Sequence, residues 1–376
     1  MKRDATAFAL LTLAFLALFA LTAQRGLGWG DSGEFQHRIL DLADGMTKGC
    51  DSLATAHPLY VLLGKCVASS PFAVNLISAF FGALAVGGFF LCTRNLALSA
   101  VFGLSHALWW LSCVAEVYTM SLAFTAFETF FLLRLARKGG AADAAALMLL
   151  NGLHLSVHNF ALLPLPVYIV VAFSRRRAVV AAVAWLAGAA FHLSLAAKAG
   201  LSGALFGSYG GTVFSLWPSN WTLTAFNYAL AALSFAAPAF LLKWRIRDGG
   251  GFGGVSRAVL ALFAIHAVFW ARYFVKDQFT FALPTLFFAY MLLANVKVRP
   301  TRAVALAAMQ VVLPLAAWQV AAQFEQPGWR MEHKYRDDAA YFCLPWKFLD
   351  RSADRCAAET PGEWTGYPYA RKESAK

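Results

Sequence analysis

Apolar residues in this sequence come in continuous blocks of about 20, the length a helix needs to cross the hydrocarbon core of a bilayer. The blocks run Ala7–Ala23, Phe72–Cys92, Leu96–Cys113, Tyr118–Leu135, Ala144–Val157, Phe160–Phe173, Ala178–Ala197, Leu223–Leu242, Ala258–Phe274, Phe279–Ala294 and Val304–Phe324. Soluble helical repeat arrays carry apolar stripes instead of continuous blocks. With 60% hydrophobic and 14% charged residues, the chain has too little charge to cover a soluble protein of 376 residues. The expected fold is therefore all-α: a polytopic transmembrane helical bundle of about 11 spans over residues 1–324, then a short polar tail, 325–376. The pair of short blocks around Asn151 to Pro166 is the least regular, since Pro164 and Pro166 can break or kink the second.

The net charge of +12 raises a nucleic-acid reading, and its distribution argues against one. From Phe324 onward nine basic and nine acidic residues cancel. The excess sits in short clusters between blocks, as orientation signals do. With Lys2 and Arg3 placed in the cytoplasm, Arg94, Arg134-Arg137-Lys138, Arg175–Arg177, Lys243-Arg245-Arg247 and Lys297-Arg299-Arg302 fall inside at every second loop. Adding or deleting one span would scramble that pattern. The tail then lies outside, periplasmic if the membrane is a bacterial inner membrane, which fits best. Asp31, Glu34, Asp41, Asp44, Asp51, Glu116 and Asp277 fall on the same side: seven of the eleven acids before the tail. The first block follows basic residues like a signal peptide, but it is long for one and no clear small-x-small site follows. It reads as a retained span.

The first outer loop, residues 24–71, is polar and is expected to hold short interfacial helices. One such stretch is Glu34–Leu42; another is Pro58–Ala68, with proline in its first turn and too short to span. A later outer loop carries Trp217-Pro218-Ser219-Asn220-Trp221, which looks like an interfacial belt. No internal repeat is visible, which weighs against a transporter built from duplicated halves.

Asp31 and Glu34, three apart on a helix, would share a face. Two carboxylates there can deprotonate a hydroxyl acceptor or hold a divalent cation, though no further committed metal ligand is visible. The same spacing is a capping pattern, with Asp31 as N-cap and Glu34 reaching back, and spacing alone favours the cap. Glu116 precedes Tyr118 at the outer end of a span, where a carboxylate can meet a polar substrate or simply reach water. Glu128, within that span, is expected to face the bundle or a water pocket. His154 and His158 share a helix face without a third ligand nearby, so a structural pair is the better reading. Arg272, Lys276, Asp277 and Gln278 form a second outer polar cluster whose cations suit a phosphate or pyrophosphate; an ordinary turn explains it equally well. None of the six cysteines has metal-ligand spacing. Cys50, Cys66, Cys92 and Cys113 read as packing residues, and Cys343 and Cys356 stand open between a disulfide and two thiols.

Four stretches resemble one family in order and approximate spacing, over roughly the first 290 residues. They are Gly30-Asp31-Ser32-Gly33-Glu34-Phe35; His57-Pro58-Leu59-Tyr60-Val61-Leu62-Leu63-Gly64-Lys65 with Val74-Asn75-Leu76-Ile77-Ser78-Ala79 behind it; Ala115-Glu116-Val117-Tyr118-Thr119-Met120; and Val275-Lys276-Asp277-Gln278 leading to Pro284. The family is a membrane family of the GT-C glycosyltransferase class that includes a eukaryotic transmembrane protein O-mannosyltransferase. The chain departs from it after His57, where Pro58 runs directly into Leu59-Tyr60 instead of a proline- and glycine-rich turn. The resemblance implies a GT-C-like helical fold working on the outer face, a polyprenyl-phosphate sugar donor, and a protein or glycan acceptor. It implies Asp31 as the functional acid of the first outer loop, with Glu34 beside it. His57, Glu116, Tyr118, Arg272, Lys276, Asp277 and Gln278 are then candidates for substrate contact. The alternative is a transporter or flippase of a lipid-linked or anionic solute, for which Glu128 and the His154/His158 pair would be the polar path.

Overall fold

The computed structural model describes residues 2–40, 53–173, 177–205, 215–247, 257–296, 298–321, 339–348 and 352–353. Among them every regular element is helical. They are α1 (Lys2–Thr22), α2 (Asp31–Leu40), α3 (Leu53–Ala56), α4 (Pro58–Val67), α5 (Pro71–Thr93), α6 (Leu96–Gly103), α7 (His106–Ser112) and α8 (Tyr118–Lys138). Then come α9 (Ala141–Leu155), α10 (Leu165–Ala172), α11 (Ala178–Leu205), α12 (Trp221–Arg247), α13 (Arg257–Arg272), α14 (Leu283–Leu292), α15 (Pro300–Ala321) and α16 (Ala339–Cys343). Short 3-10 turns, Asn159–Leu162 and Gln278–Ala282, precede α10 and α14.

The described part of each apolar block is largely helical, and the chain is an integral membrane protein. Six helices, α1, α5, α8, α11, α12 and α15, are long and apolar enough to cross a membrane. The other five expected spans are shorter or broken. Leu96–Cys113 divides into α6 and α7 around Ser105, whose hydroxyl turns back to the Phe102 carbonyl at 2.6 Å. Pro166 and Pro284 sit in the first turns of α10 and α14, where a missing N–H costs nothing. Helix α11 breaks at Gly200, where φ is 75°.

Close packing depends on small residues, as expected where lipid removes the hydrophobic drive between helices. A Cβ on Gly152 would lie 2.4 Å from the Trp185 carbonyl oxygen, and one on Gly188 would lie 2.2 Å from that of Leu149. Helices α9 and α11 therefore meet backbone to backbone. Glu128 faces the bundle and is fully buried. Its carboxylate accepts from His154 Nδ1 at 3.0 Å and from the Tyr168 hydroxyl at 3.0 Å, while Ser121 Oγ meets His154 Nε2 at 2.6 Å. This network joins α8, α9 and α10. His154 and His158 are engaged separately, since the His158 ring stacks on His57 with centroids 5.0 Å apart.

The two ends of the bundle differ in charge. Arg94 pairs with Asp4 at 3.1 Å, Asn95 donates to the Val296 carbonyl at 3.2 Å, Arg245 to that of Leu292 at 2.8 Å, and Arg302 lies 4.8 Å over the Trp244 ring. These basic loops therefore gather at one end. Arg175, Arg176 and Lys297 lie outside the described residues. Thr22, at the other end of α1, accepts backbone bonds from Lys347 at 2.8 Å and Phe348 at 3.1 Å. The described part of the tail thus docks at the same end as the first loop. Cys343 is buried there, while Cys356, like Asp41, Asp44, Cys50 and Asp51, lies outside the described residues.

Candidate active site

The first loop is built around amide side chains. Gln36 accepts from the Gly28 N–H at 2.6 Å and donates to Asn75 Oδ1 at 3.0 Å and to the Pro71 carbonyl at 3.2 Å. Asn75 donates in turn to the Gln24 carbonyl at 2.8 Å. Helix α2 begins at Asp31, with Gly30 before it at φ 55° accepting the Glu34 N–H at 2.9 Å. The cap position is Gly30, which tolerates the left-handed conformation. Asp31 is therefore the first helical residue, one position after the cap. Its exposed carboxylate stands at the positive end of the helix dipole. Glu34 lies one turn on, 3.7 Å from Arg38. Burial, then the charge of Asp31, pushes its pKa above the usual value, and Arg38 opposes the shift.

Glu116 is fixed from behind by α5. Its backbone N–H donates to Ser78 Oγ at 2.9 Å, and the same hydroxyl donates to its carbonyl at 2.9 Å. Tyr60 of α4 completes the cluster, 3.1 Å from Ser78. The Glu116 carboxylate accepts from Ser32 of α2 at 3.0 Å, which ties the first loop to the turn before α8. On the far side Asn227 of α12 donates to the Lys276 carbonyl at 3.1 Å and accepts the Phe279 N–H at 2.9 Å. Thr280 donates to the Asp277 carbonyl at 2.8 Å.

These elements enclose a cavity of about 330 Å³. Asp31, Ser32, Glu116, Lys276 and Asp277 line it, with Trp29, Trp110, Phe274, Tyr341 and Phe342 as aromatic wall and Asn220 and Thr224 from the start of α12. Four of the nine residues singled out from the sequence thus meet in one place, from segments up to 246 residues apart (277 − 31).

The other five stand off the cavity surface. Glu34 faces Arg38. Gln278 is fully buried and donates to the Trp270 carbonyl at 2.8 Å. Tyr118 is buried within electrostatic reach of Asp277, Glu116 and Asp31. Arg272 is exposed, its guanidinium 5.7 Å over the Phe274 ring and 3.4 Å from the Ser215 carbonyl. His57 holds a left-handed φ of 47°, bonds the Val157 carbonyl at 2.8 Å and stacks on His158. Burial pushes its pKa down to about 4; Arg38 adds to the shift and the bond to Val157 opposes it. Among the described residues, no group of three or more His, Cys, Asp or Glu side chains is placed to hold a metal ion.

Sequence reasoning did not assign roles to Ser32, Asn75, Ser78, Trp110, Asn227, Tyr341 or Phe342. Asn75 and Ser78 lay in plain view within the Val74–Ala79 stretch.

Residues 31–181 match the family described as the protein O-mannosyl-transferase TMEM260 N-terminal domain. The matched segment contains the stretches around Asp31, His57 to Ala79, and Glu116; the Val275–Gln278 stretch lies beyond it. Among solved structures the chain is similar to ArnT from Cupriavidus metallidurans bound to undecaprenyl phosphate, with TM-score 0.54 and 16% identity, covering 86% of this chain and 67% of that one. The helical arrangement is thus ArnT-like. No curated protein sequence matches the chain.

Proposed function

We propose that this protein is a glycosyltransferase that moves a sugar from a polyprenyl-phosphate donor to an acceptor hydroxyl on a protein or glycan, at the outer face of the membrane and with inversion at the anomeric carbon. One observation carries the reading: Asp31, Glu116 and Lys276 line a single cavity at the end of the bundle opposite the basic loops. ArnT, whose fold this chain shares, was captured with undecaprenyl phosphate, and the TMEM260 family name describes O-mannosyl transfer.

In a single displacement the acceptor oxygen attacks the anomeric carbon. The bond from that carbon to the phosphate oxygen breaks, and the acceptor proton passes to Asp31. The lipid phosphate leaves with the electron pair, and Lys276 stabilises the charge that grows on it. A phosphate leaving group needs no strong acid, so the second carboxylate of a glycoside hydrolase is unnecessary. Glu116, held by Ser78 and Ser32, binds a sugar or acceptor hydroxyl, and Asp277 orients Lys276. Glu34 tunes Asp31 through its charge, and Arg272 draws the phosphate toward the mouth. A bacterial inner membrane, with the site and tail periplasmic, remains the best setting.

The transport reading asks for a polar path through Glu128 and His154, and those side chains are closed into a buried network. The test is transfer of radiolabelled mannose from polyprenyl-phosphate mannose to membrane proteins or glycans by the purified protein in vesicles. Transfer by the wild type and none by Asp31→Ala supports the proposal; near-normal turnover in that variant removes it.

A further inference from the structure

The tail was expected to be a neutral appendage, yet its described part is built into the cavity. Tyr341 and Phe342 line it. Phe342 stacks on Trp110, with centroids 5.7 Å apart and planes at 18°, and Tyr341 meets the same indole edge-on at 5.8 Å. Two side chains of α7 hold this piece by its backbone. His106 Nε2 lies 2.8 Å from the Phe342 carbonyl, and Trp110 Nε1 donates to that of Tyr341 at 3.3 Å. Farther along, Lys347 and Phe348 bond the Thr22 carbonyl, and Ala353 bonds that of Leu27 at 2.8 Å.

Lys347 is fully buried, a costly place for an ammonium unless its charge is met. It donates to the Tyr341 carbonyl and lies 4.0 Å over the Tyr341 ring and 4.8 Å over that of Trp110. Both rings attract a cation through their faces, and both belong to the cavity wall. The ammonium therefore links two aromatic side chains of the wall to each other.

A sugar ring has C–H faces that pack on aromatic side chains and hydroxyls that bond carboxylates. The wall offers both chemistries, with Lys276 in the same cavity for the phosphate. We infer that Trp110, Tyr341 and Phe342 form the surface on which the donor's sugar ring rests, and that Lys347 is the positioning residue that holds this surface in place. The inference rests on the glycosyltransferase reading and adds the tail to its site.

The test is binding of two probes to the full chain in vesicles: undecaprenyl phosphate alone and undecaprenyl-phosphate mannose, each followed by tryptophan fluorescence. The wild type should bind the sugar-bearing lipid more tightly. Lys347→Met should lose about tenfold in affinity for the sugar-bearing lipid and keep its affinity for the bare lipid. Lys347→Arg should restore the difference, and Phe342→Leu should lose it. Unchanged binding of both probes in Lys347→Met, or equal weakening of both, overturns the inference while the glycosyltransferase reading stands. A wild type that binds neither lipid overturns that reading first.

Discussion

Among the described residues, a buried polar cluster in mid-bundle contrasts with another at the bundle's end that borders a cavity. In mid-bundle, Ser121, His154, Glu128 and Tyr168 spend their side-chain bonds on one another and are almost wholly buried. At the end, Ser78 and Ser32 bond to Glu116 and Asn227 bonds to Lys276, residues that border open space, and Asp31 and Asp277 line it with them. A carboxylate in a membrane protein invites a functional reading. Here the difference between glue and site lies in where the remaining lone pairs point.

The sharpest way to break the comparison is to remove each carboxylate in turn. Asp31→Asn should lower transfer by about 10²–10⁴-fold, the usual worth of a positioned base, with melting temperature unchanged. Glu128→Ala should do the reverse. It strands His154 and Tyr168 in the interior and should cost about 3–5 kcal/mol in a denaturant titration, with transfer per folded molecule kept. Equal loss of transfer in both variants would erase the distinction.

A smaller effect probes the support of the site. Ser78→Ala removes both bonds that pin the Glu116 backbone and should lower kcat/KM about tenfold, since the two bonds together contribute about 1–3 kcal/mol. Unaltered kinetics would mean that Glu116 needs no such anchor.

The smallest effect concerns His57, which flanks the loop without reaching the cavity. Its folded pKa of about 4 lies below the usual 6.5, so the neutral ring stabilises the fold above pH 6.5. That contribution is lost as pH falls from 6.5 toward 4. Melting temperatures of the wild type should decline across that window, and those of His57→Gln should decline less.

The sequence carried much of the fold because a bilayer-length apolar block is a local signal. It carried Asp31, Glu116, Lys276 and Asp277 because charged residues at span ends stand out against apolar neighbours. It missed the wall formed by the tail, since nothing local tells that the Phe342 carbonyl meets His106 across 236 positions. Lys347 looked like one of several balanced tail charges, and only packing reveals that it is buried. The cap was misplaced by one residue because spacing identifies a capping pattern without saying that Gly30, with its positive φ, takes the cap position. The span lengths were less legible for a related reason: Ser105, Pro166 and Pro284 break apolar stretches without changing their composition.

The most direct test of the central claim is an experimental structure of the protein in lipid with undecaprenyl phosphate bound. The account predicts the phosphate within hydrogen-bond reach of Lys276, in the cavity that Asp31 and Glu116 line, with the Glu128 network undisturbed. A phosphate seated at the opposite end of the bundle, beside Arg94 or Arg302, with the Asp31 cavity vacant, would contradict it.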